Sequence, residues 1–211
     1  MNDIYSGKFI TIEGIEGTGK STAMHYVQHW LEEHSIPFIQ TREPGGTLIA
    51  EQIRQLFLKK QAEEMHADTE LLLVFAARSQ HLHQVIWPAL QTGHWVVCDR
   101  FTDASYAYQG GGRGIETQRI MSLENWVQGR FRPDTVILLD AAVDICLQRT
   151  MQRGTLDRIE VEKTEFFERA RAAYLNRAAA EPERYKIVDA ARTIPEVQQQ
   201  IGRILSQLHM H

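Results

Sequence analysis

The chain lacks several features that would place it in common protein classes. It has only two cysteines, Cys98 and Cys146, both within apolar runs, which favours buried free thiols over a disulfide framework or a metal site. Its formal net charge is -4, so it has no broad basic field of the kind that binds nucleic acid. Its longest strongly apolar run, residues 71–77, is too short to span a bilayer, and its first residues lack the pattern of a signal peptide. We therefore expect a cytoplasmic protein with no membrane or nucleic-acid partner.

The apolar pattern predicts one α/β domain covering residues 1–211. The composition is 43% hydrophobic, enough for a single core, and no repeat or linker divides the chain. Short continuous apolar runs alternate with helical stretches, which is typical of a parallel sheet covered on both faces. The predicted strands are residues 8–14, 36–42, 94–100, 134–140 and 185–190. The predicted helices are residues 20–34, 48–60, 68–90 with Asp68 as N-cap, one beginning near 143, 166–180, and one from 194 with Pro195 in its first turn.

The stretch GIEGTGKS, residues 14–21, has the spacing of a phosphate-binding loop between a strand and a helix. Its glycines let backbone N–H groups point at phosphate oxygens, while Lys20 would bridge the β- and γ-phosphates and Ser21 would hold Mg²⁺. Asp99 ends the third predicted strand and is placed to approach the same ion. Asp140 also ends a strand, where a metal role and a capping role are equally compatible. The loop predicts a nucleoside triphosphate ligand, and the N-K-x-D, D-x-x-G and L-S-G-G-Q strings of GTPases and transporter ATPases are absent.

Four further stretches carry candidate substrate residues. They are REPGGT at 42–47, LLLVFAARSQH at 71–81, DRFTDASYAYQGGGRG at 99–114 and RTMQRGTLDRIE at 149–160. Three of them follow strand ends, where an open parallel sheet binds ligands. Phe75 and Arg78 lie three apart on one helix face, although spacing alone favours a core phenylalanine and a surface arginine over a base contact.

Two of these stretches contain loop signals. The successive glycines at 110–112 predict a mobile or tightly turned loop. Arg149, Arg153 and Arg158 fit either a solvated basic helix end or a lid that brings arginines to a transferring phosphate.

Taken in order, the motifs FITIEGIEGTGKST, TREPGGT, FAARSQH, DRFTDASYAYQGGGRG, FRPD, RGTLDRIE and VDA resemble those of the bacterial thymidylate kinases over nearly the whole chain. The resemblance implies a three-layer P-loop NTP hydrolase fold, with a five-stranded parallel sheet flanked by helices and a flexible lid at about 149–160. It implies transfer of the γ-phosphate of ATP to dTMP, giving dTDP and ADP in dTTP biosynthesis, with Mg²⁺ as cofactor. It also suggests a homodimer formed through the long helices.

The resemblance further implies a role for each matching residue. The implied ATP-binding residues are Gly14, Ile15, Glu16, Gly17, Thr18, Gly19, Lys20, Ser21, Thr22 and Arg149. The implied dTMP-binding residues are Glu16 at the deoxyribose 3′-hydroxyl, Arg54 and Arg100 at the acceptor phosphate, Phe75 stacked on thymine, Arg78 at the base edge, Ser105, Tyr108 where a ribose 2′-hydroxyl would lie, and Gln109. The implied Mg²⁺ ligands are Ser21 and Asp99, and the implied catalytic residues are Lys20, Arg100 and Arg153.

The position of the catalytic arginine distinguishes groups within this family. Some members carry an arginine in the phosphate loop just after the acidic residue, but this chain has Gly17 there. The lid must then supply the cation, and we assign Arg153 to the γ-phosphate, with Arg149 and Arg158 as helpers. Relatives have a further lid arginine where this chain has Met151.

Two other interpretations remain open from sequence. One is another nucleotide or deoxynucleoside kinase on the same fold, which differs only in its base and sugar pocket. The other is a P-loop regulatory or scaffold protein that binds ATP without transferring phosphate. Retention of Lys20, Arg100 and the lid arginines favours an enzyme over the second alternative.

Overall fold

The protein is described by a computed structural model covering residues 6–152 and 156–210. Within these residues, five strands pair into one sheet in the order β2-β3-β1-β4-β5, and every pairing is parallel. The strands are β1 (Phe9–Glu13), β2 (Phe38–Arg42), β3 (Trp95–Asp99), β4 (Thr135–Asp140) and β5 (Tyr185–Asp189). All five predicted strands are present, each within two residues of its predicted bounds at either end.

Nine α-helices and two π-helical segments lie in the described part of the chain. The α-helices are α1 (Lys20–Glu33), α2 (Leu48–Leu58), α3 (Ala67–His81), α4 (Trp87–Gln91), α5 (Thr102–Ser105), α6 (Thr117–Gln128), α7 (Val143–Met151), α8 (Thr164–Ala180) and α9 (Ile194–His209). The π-helical segments are Leu82–Ile86, which joins α3 to α4, and Tyr106–Gly112, which extends α5. None of these helices combines the length and the apolar character needed to cross a bilayer.

Two local predictions were wrong. Asp68 does not cap α3, because His66 is the N-cap and accepts a hydrogen bond from the Asp68 N–H, while the Asp68 carboxylate pairs with Arg119 at 2.7 Å. The glycines at 110–112 do not form a free loop but continue a helical segment packed on α8. A side chain at Gly112 would clash with the ring of Phe166, so close approach of the two elements requires glycine there. Helices α5 and α6 were not predicted at all.

The central strands divide the core into two layers. Every residue of β1 is buried, and neighbouring residues contribute to different clusters: Phe9 packs with Val96 on one face of the sheet, and Ile10 packs with Val97 on the other. Side chains alternate across a strand, so a continuous apolar strand requires cover on both sides. The sheet is therefore buried between helices, as the sequence predicted.

Strand register brings the candidate residues to one edge of the sheet. Ile12 of β1 is paired with Asp99 of β3, so the phosphate loop and the segment after β3 leave the sheet side by side. The backbone N–H of Arg100 donates to the Ile12 carbonyl at 3.0 Å, which continues this pairing one residue beyond the strand. The ligand-binding edge predicted for an open parallel sheet is thus formed mainly by the ends of β1 and β3.

Glu13, the last residue of β1, is a fully buried carboxylate. It accepts hydrogen bonds from the Phe101 N–H at 2.7 Å and from the Tyr174 hydroxyl at 2.7 Å, and so ties β1 to the segment after β3 and to α8. Burial, reinforced by the nearby charge of Asp103, raises the pKa of Glu13 to about 7. This carboxyl group therefore titrates near neutrality.

We predict that Glu13→Gln will flatten the pH dependence of stability between about pH 4.5 and 7. The folded chain holds the Glu13 proton up to about pH 7, whereas the unfolded chain releases it near 4.5. The contribution of Glu13 is therefore fully present below about 4.5 and is lost as the pH rises through about 7. Denaturant unfolding of both proteins at a series of pH values measures the difference.

A second carboxylate provides the control for this experiment. The Arg184 hydrogen bond lowers the pKa of Glu181, so Glu181 titrates below this window and Glu181→Gln should preserve the wild-type slope within it. An unchanged slope in Glu13→Gln would show that the buried carboxyl does not titrate there.

Candidate active site

The phosphate loop has the backbone conformation that its glycines predict. Gly14, Gly17 and Gly19 have φ values of 137°, 78° and 92°. Gly17 has a second requirement, because a side chain there would clash with the carbonyl of Cys146 on α7. Helix α1 begins at Lys20, directly after the loop, so its N-terminal N–H groups face the same space as the loop.

The side chain of Lys20 is held close to the phosphate loop by backbone carbonyls of that loop. Its ammonium donates to the carbonyls of Gly14 at 3.0 Å and Ile15 at 2.9 Å. Burial, together with the nearby charge of Arg100, lowers the pKa of Lys20 to about 8. Phosphate oxygens are stronger acceptors than carbonyls and would favour the charged form of this lysine.

Glu16 joins the phosphate loop to the segment after β3. One carboxylate oxygen accepts from Nη2 of Arg100 at 2.7 Å, and the other accepts from the hydroxyl of Tyr108 at 2.5 Å. Burial alone would raise the pKa of Glu16, but the charges of Arg100 and Lys20 lower it below its usual value. The carboxylate is therefore ionised and can accept a further hydrogen bond from a ligand.

Arg100 is fixed by several contacts in an uncommon backbone conformation. Its φ is 69°, in the left-handed region that residues other than glycine rarely adopt. Its Nη1 donates to the Gly14 carbonyl at 3.0 Å and to the Tyr174 hydroxyl at 3.3 Å, and its guanidinium lies 4.7 Å from the centre of the Tyr108 ring. Such strained residues are concentrated at functional sites, where the surrounding structure holds them in place.

A cleft beside the phosphate loop brings most of the predicted residues together. From the loop and α1 it is lined by Glu16, Gly17, Gly19, Lys20 and Ser21, and from the facing elements by Arg54, Arg78, Asp99, Arg100, Ser105, Tyr108 and Gln109. The cations among these residues come from α1, α2, α3 and the segment after β3, so the cleft suits an anionic ligand.

Phe75 lies next to the cleft rather than in its lining. Phe75 is buried and its ring centre lies 4.5 Å from the Arg78 guanidinium, but it is not among the residues that line the cleft. The adjacent Val74 lines it instead, with Phe57 and Ile159. Arg78 is only 1% exposed, so it is not the surface arginine that its spacing favoured.

Sequence reasoning missed this apolar wall. The only local signal was the unbroken run LLLVFAA, in which either Val74 or Phe75 could face a ligand. Side chains at consecutive helical positions point about 100° apart, so the packing of α3 decides between them.

The lid residues are placed differently from one another. Arg149 donates to the Ala190 carbonyl at 2.9 Å, and Arg153 lies outside the described residues. Arg158 is tied away from the phosphate loop, because its Nη1 donates to the buried carboxylate of Glu70 at 2.8 Å and its Nε to the Phe57 carbonyl at 2.8 Å. In this arrangement Arg158 anchors the C-terminal end of the proposed lid segment to α2 and α3.

A second cavity lies on the other side of the phosphate loop. It is lined by loop residues including Gly17, Thr18 and Thr22, by Arg149, and by Arg192 and Gln198 beyond β5. Gly17 and Gly19 border both this cavity and the main cleft. The phosphate loop therefore separates two spaces, as expected for a protein that binds two ligands whose phosphates meet at one loop.

The candidate metal ligands lie together in the main cleft. Ser21 and Asp99 both line it, and Oδ1 of Asp99 is buried with no hydrogen-bond partner among the described residues. A carboxylate oxygen without a partner and a hydroxyl are oxygen donors of the kind that Mg²⁺ prefers. Asp140 is occupied elsewhere, since both its oxygens pair with Arg171 at 2.7 and 2.8 Å, which accounts for it without a metal.

Comparison with known proteins identifies the family. The thymidylate kinase family model matches residues 12–201. A thymidylate kinase of Pseudomonas syringae pv. tomato is 54% identical over 203 residues, covering 96% of this chain and 97% of that protein. One from Pseudomonas putida GB-1 is 55% identical over 200 residues, covering 95% of each.

A solved structure agrees with these relatives. The crystal structure of thymidylate kinase from Ehrlichia chaffeensis superposes with a TM-score of 0.76 at 31% identity, over 95% of this chain and 98% of that chain. The expected P-loop α/β fold is thereby confirmed. The chain therefore belongs to the thymidylate kinase family and is a phosphotransferase of the nucleoside monophosphate kinase class.

Proposed function

We propose that the chain transfers the γ-phosphoryl group of ATP to dTMP, giving dTDP and ADP for dTTP biosynthesis. The observation that carries this proposal is the contact of Glu16 with Arg100 and Tyr108. Glu16 belongs to the phosphate loop and also lines the main cleft, which supports adjoining donor and acceptor sites. Donor and acceptor phosphates would therefore meet at one loop, which is the main requirement of a direct transfer.

The donor would occupy the phosphate loop and the second cavity. Residues 14–22 would surround its phosphates with backbone N–H groups, and Lys20 would exchange its carbonyl partners for β- and γ-phosphate oxygens. Arg149 borders the second cavity, where the nucleoside part of ATP would lie.

The acceptor would occupy the main cleft. Arg54 and Arg100 would hold its phosphate, and Glu16 would accept a hydrogen bond from the 3′-hydroxyl of the sugar. The Tyr108 hydroxyl is already bonded to Glu16, so its ring is fixed where it would crowd a ribose 2′-hydroxyl.

The base would lie against the far end of the cleft. Arg78, Ser105 and Gln109 would contact its edge, and all three are buried residues of the lining. Phe75 would stack on the base, and its ring also stabilises Arg78 by a cation–π contact, while Val74 lines the same end of the cleft.

Mg²⁺ belongs to the same proposal. Ser21 and Asp99 would hold it, directly or through water, in keeping with the partnerless Asp99 oxygen. When bound, the ion would neutralise charge on the phosphates of ATP.

Catalysis would depend on cations rather than on a general base. Phosphoryl transfer through a loose transition state needs alignment and charge neutralisation, and the acceptor is already a phosphate anion. Lys20 and Arg100 are positioned at the loop for this role, and Arg153 would complete the set from the lid at about 149–160.

A homodimer is also proposed. Helices α2, α3 and α6 pack side by side and expose large apolar side chains, among them Ile49, Leu72 and Trp126, the last at 83% exposure. Exposed apolar surface on adjoining helices is typical of a subunit interface. A cytoplasmic location and a single domain of residues 1–211 complete the proposal.

Substrate choice tests the proposed function. We expect ADP release with dTMP to exceed that with AMP, UMP or dCMP by orders of magnitude in kcat/KM, measured with ATP and Mg²⁺ in a coupled assay. Equal activity with any of these three monophosphates would favour another nucleotide kinase, and ATP binding without turnover would favour a regulatory protein.

Glu16→Ala should impair the use of dTMP more than the binding of ATP. The change removes an acceptor for the sugar hydroxyl and frees Arg100 and Tyr108, so the KM for dTMP should rise by about 10- to 100-fold. Affinity for ATP, measured by calorimetry, should stay close to wild type because the loop backbone is unchanged. Glu16→Gln keeps the size of the side chain, and its KM for dTMP should lie between those of wild type and Glu16→Ala. Equal losses in the use of dTMP and in the binding of ATP would contradict this role.

Arg153→Ala should abolish turnover without abolishing ATP binding. An arginine that neutralises transition-state charge contributes about 10³- to 10⁵-fold to kcat, so a loss in that range is expected. Arg203→Ala, which removes an exposed arginine on α9, serves as the control. Unchanged turnover in Arg153→Ala would move the catalytic cation to another residue.

A further inference from the structure

Arg78 has one guanidinium nitrogen to offer a ligand. Its Nε donates to Oε2 of Glu43 at 2.7 Å, and its Nη2 donates to the Phe101 carbonyl and to Oγ of Ser105, both at 3.1 Å. Its Nη1 is buried and has no hydrogen-bond partner among the described residues. Since the side chain is 1% exposed and lines the cleft, a ligand or a water molecule in the cleft would supply the partner of this nitrogen.

Glu43 is held in its turn by a second buried residue. Its other oxygen, Oε1, lies 3.1 Å from Nδ1 of His81, and Nε2 of His81 lies 2.7 Å from Oγ1 of Thr41. Glu43 is 3% exposed and His81 is fully buried. The contacts form a chain from Thr41 on β2 through His81 and Glu43 to Arg78. Glu43 lines the cleft beside Arg78, whereas His81 and Thr41 do not line it, so the orientation of the guanidinium depends on residues on and behind the cleft wall.

We propose that Glu43, supported by His81, is a positioning residue that turns Nη1 of Arg78 toward position 4 of the pyrimidine base and thereby sets the preference for thymine over cytosine. This inference rests on the proposed function. Thymine has a carbonyl at position 4, which accepts a hydrogen bond, whereas cytosine has an amino group there, which donates one. A guanidinium can only donate. An immobile Nη1 would therefore donate to the carbonyl of thymine, whereas with cytosine both Nη1 and the amino group of the base would lack an acceptor.

A purely structural role for the buried Glu43–Arg78 pair would have a different consequence. Loss of a buried ion pair can loosen its whole surroundings. A loosened cleft would lose affinity for every pyrimidine nucleotide and would recognise the 5-methyl group less well. A positioning role affects only recognition at position 4.

The experiment compares three acceptors in wild type and Glu43→Gln. The dTMP and dUMP bases share the carbonyl at position 4 and differ in the methyl group, whereas dCMP lacks that carbonyl. We expect the ratio of kcat/KM for dTMP over dCMP to fall by about 10- to 100-fold, the value of one hydrogen bond from a charged donor. The ratio for dTMP over dUMP should stay within about twofold of wild type, because both bases carry the carbonyl at position 4 and Arg78 would not touch the methyl group.

A matched control removes a different buried carboxylate. Glu124 is 4% exposed and pairs with Arg132 at 3.0 Å, but it is not among the residues that line the cleft. Glu124→Gln should leave both ratios at their wild-type values. Should Glu43→Gln be recovered too poorly to assay, His81→Asn acts on the same chain of contacts and should lower the dTMP over dCMP ratio by a smaller factor.

The possible outcomes separate this inference from the proposed function. If wild type shows no preference for dTMP over the other monophosphates, the proposed function fails. If wild type prefers dTMP and Glu43→Gln keeps the wild-type ratio of dTMP over dCMP, only the positioning role fails. The same holds if the ratios of dTMP over dCMP and of dTMP over dUMP fall together. Inhibition constants against dTMP give the same comparison where turnover of dCMP is too slow to measure.

Discussion

The ion pair between Glu16 and Arg100 is the interaction on which the site depends. Its 2.7 Å contact joins the phosphate loop after β1 to the segment after β3, and both residues are largely buried. Parallel pairing of β1 with β3 brings the two segments together, and the positive φ of Arg100 directs its side chain back across the loop. Tyr108 closes the arrangement by donating to the same carboxylate. The main cleft is thus built onto the phosphate loop.

Other arginines of the region are also held by carboxylates. Arg78 is held by Glu43, and Arg158 by Glu70, so each of these two guanidinium groups has a buried carboxylate partner. Such pairing reduces the desolvation cost of burying a cation and fixes its direction. The net charge of the chain is negative, yet four cations line the cleft, namely Lys20, Arg54, Arg78 and Arg100.

Much of the fold could be predicted because its signals are local. Continuous apolar strands, a glycine-rich loop and helical periodicity were enough for the sheet and most helices. Helix α6 escaped prediction because its outer face carries Trp126 and Met121, which are exposed and blur its apolar stripe. The helical segment around Gly111 escaped because glycines usually break helices, whereas here they admit α8 to close contact.

By itself, the sequence determined the strands, the phosphate loop and the set of residue types that gather at the edge of the sheet. These follow from short-range patterns, since the ends of parallel strands must lie together. Only the tertiary structure decided that Val74 rather than Phe75 faces the cleft, that Arg158 is held by Glu70, and that Glu43 and His81 support Arg78. The physical reason is that the direction of a side chain on a helix depends on partners distant in sequence, and no local pattern records those partners.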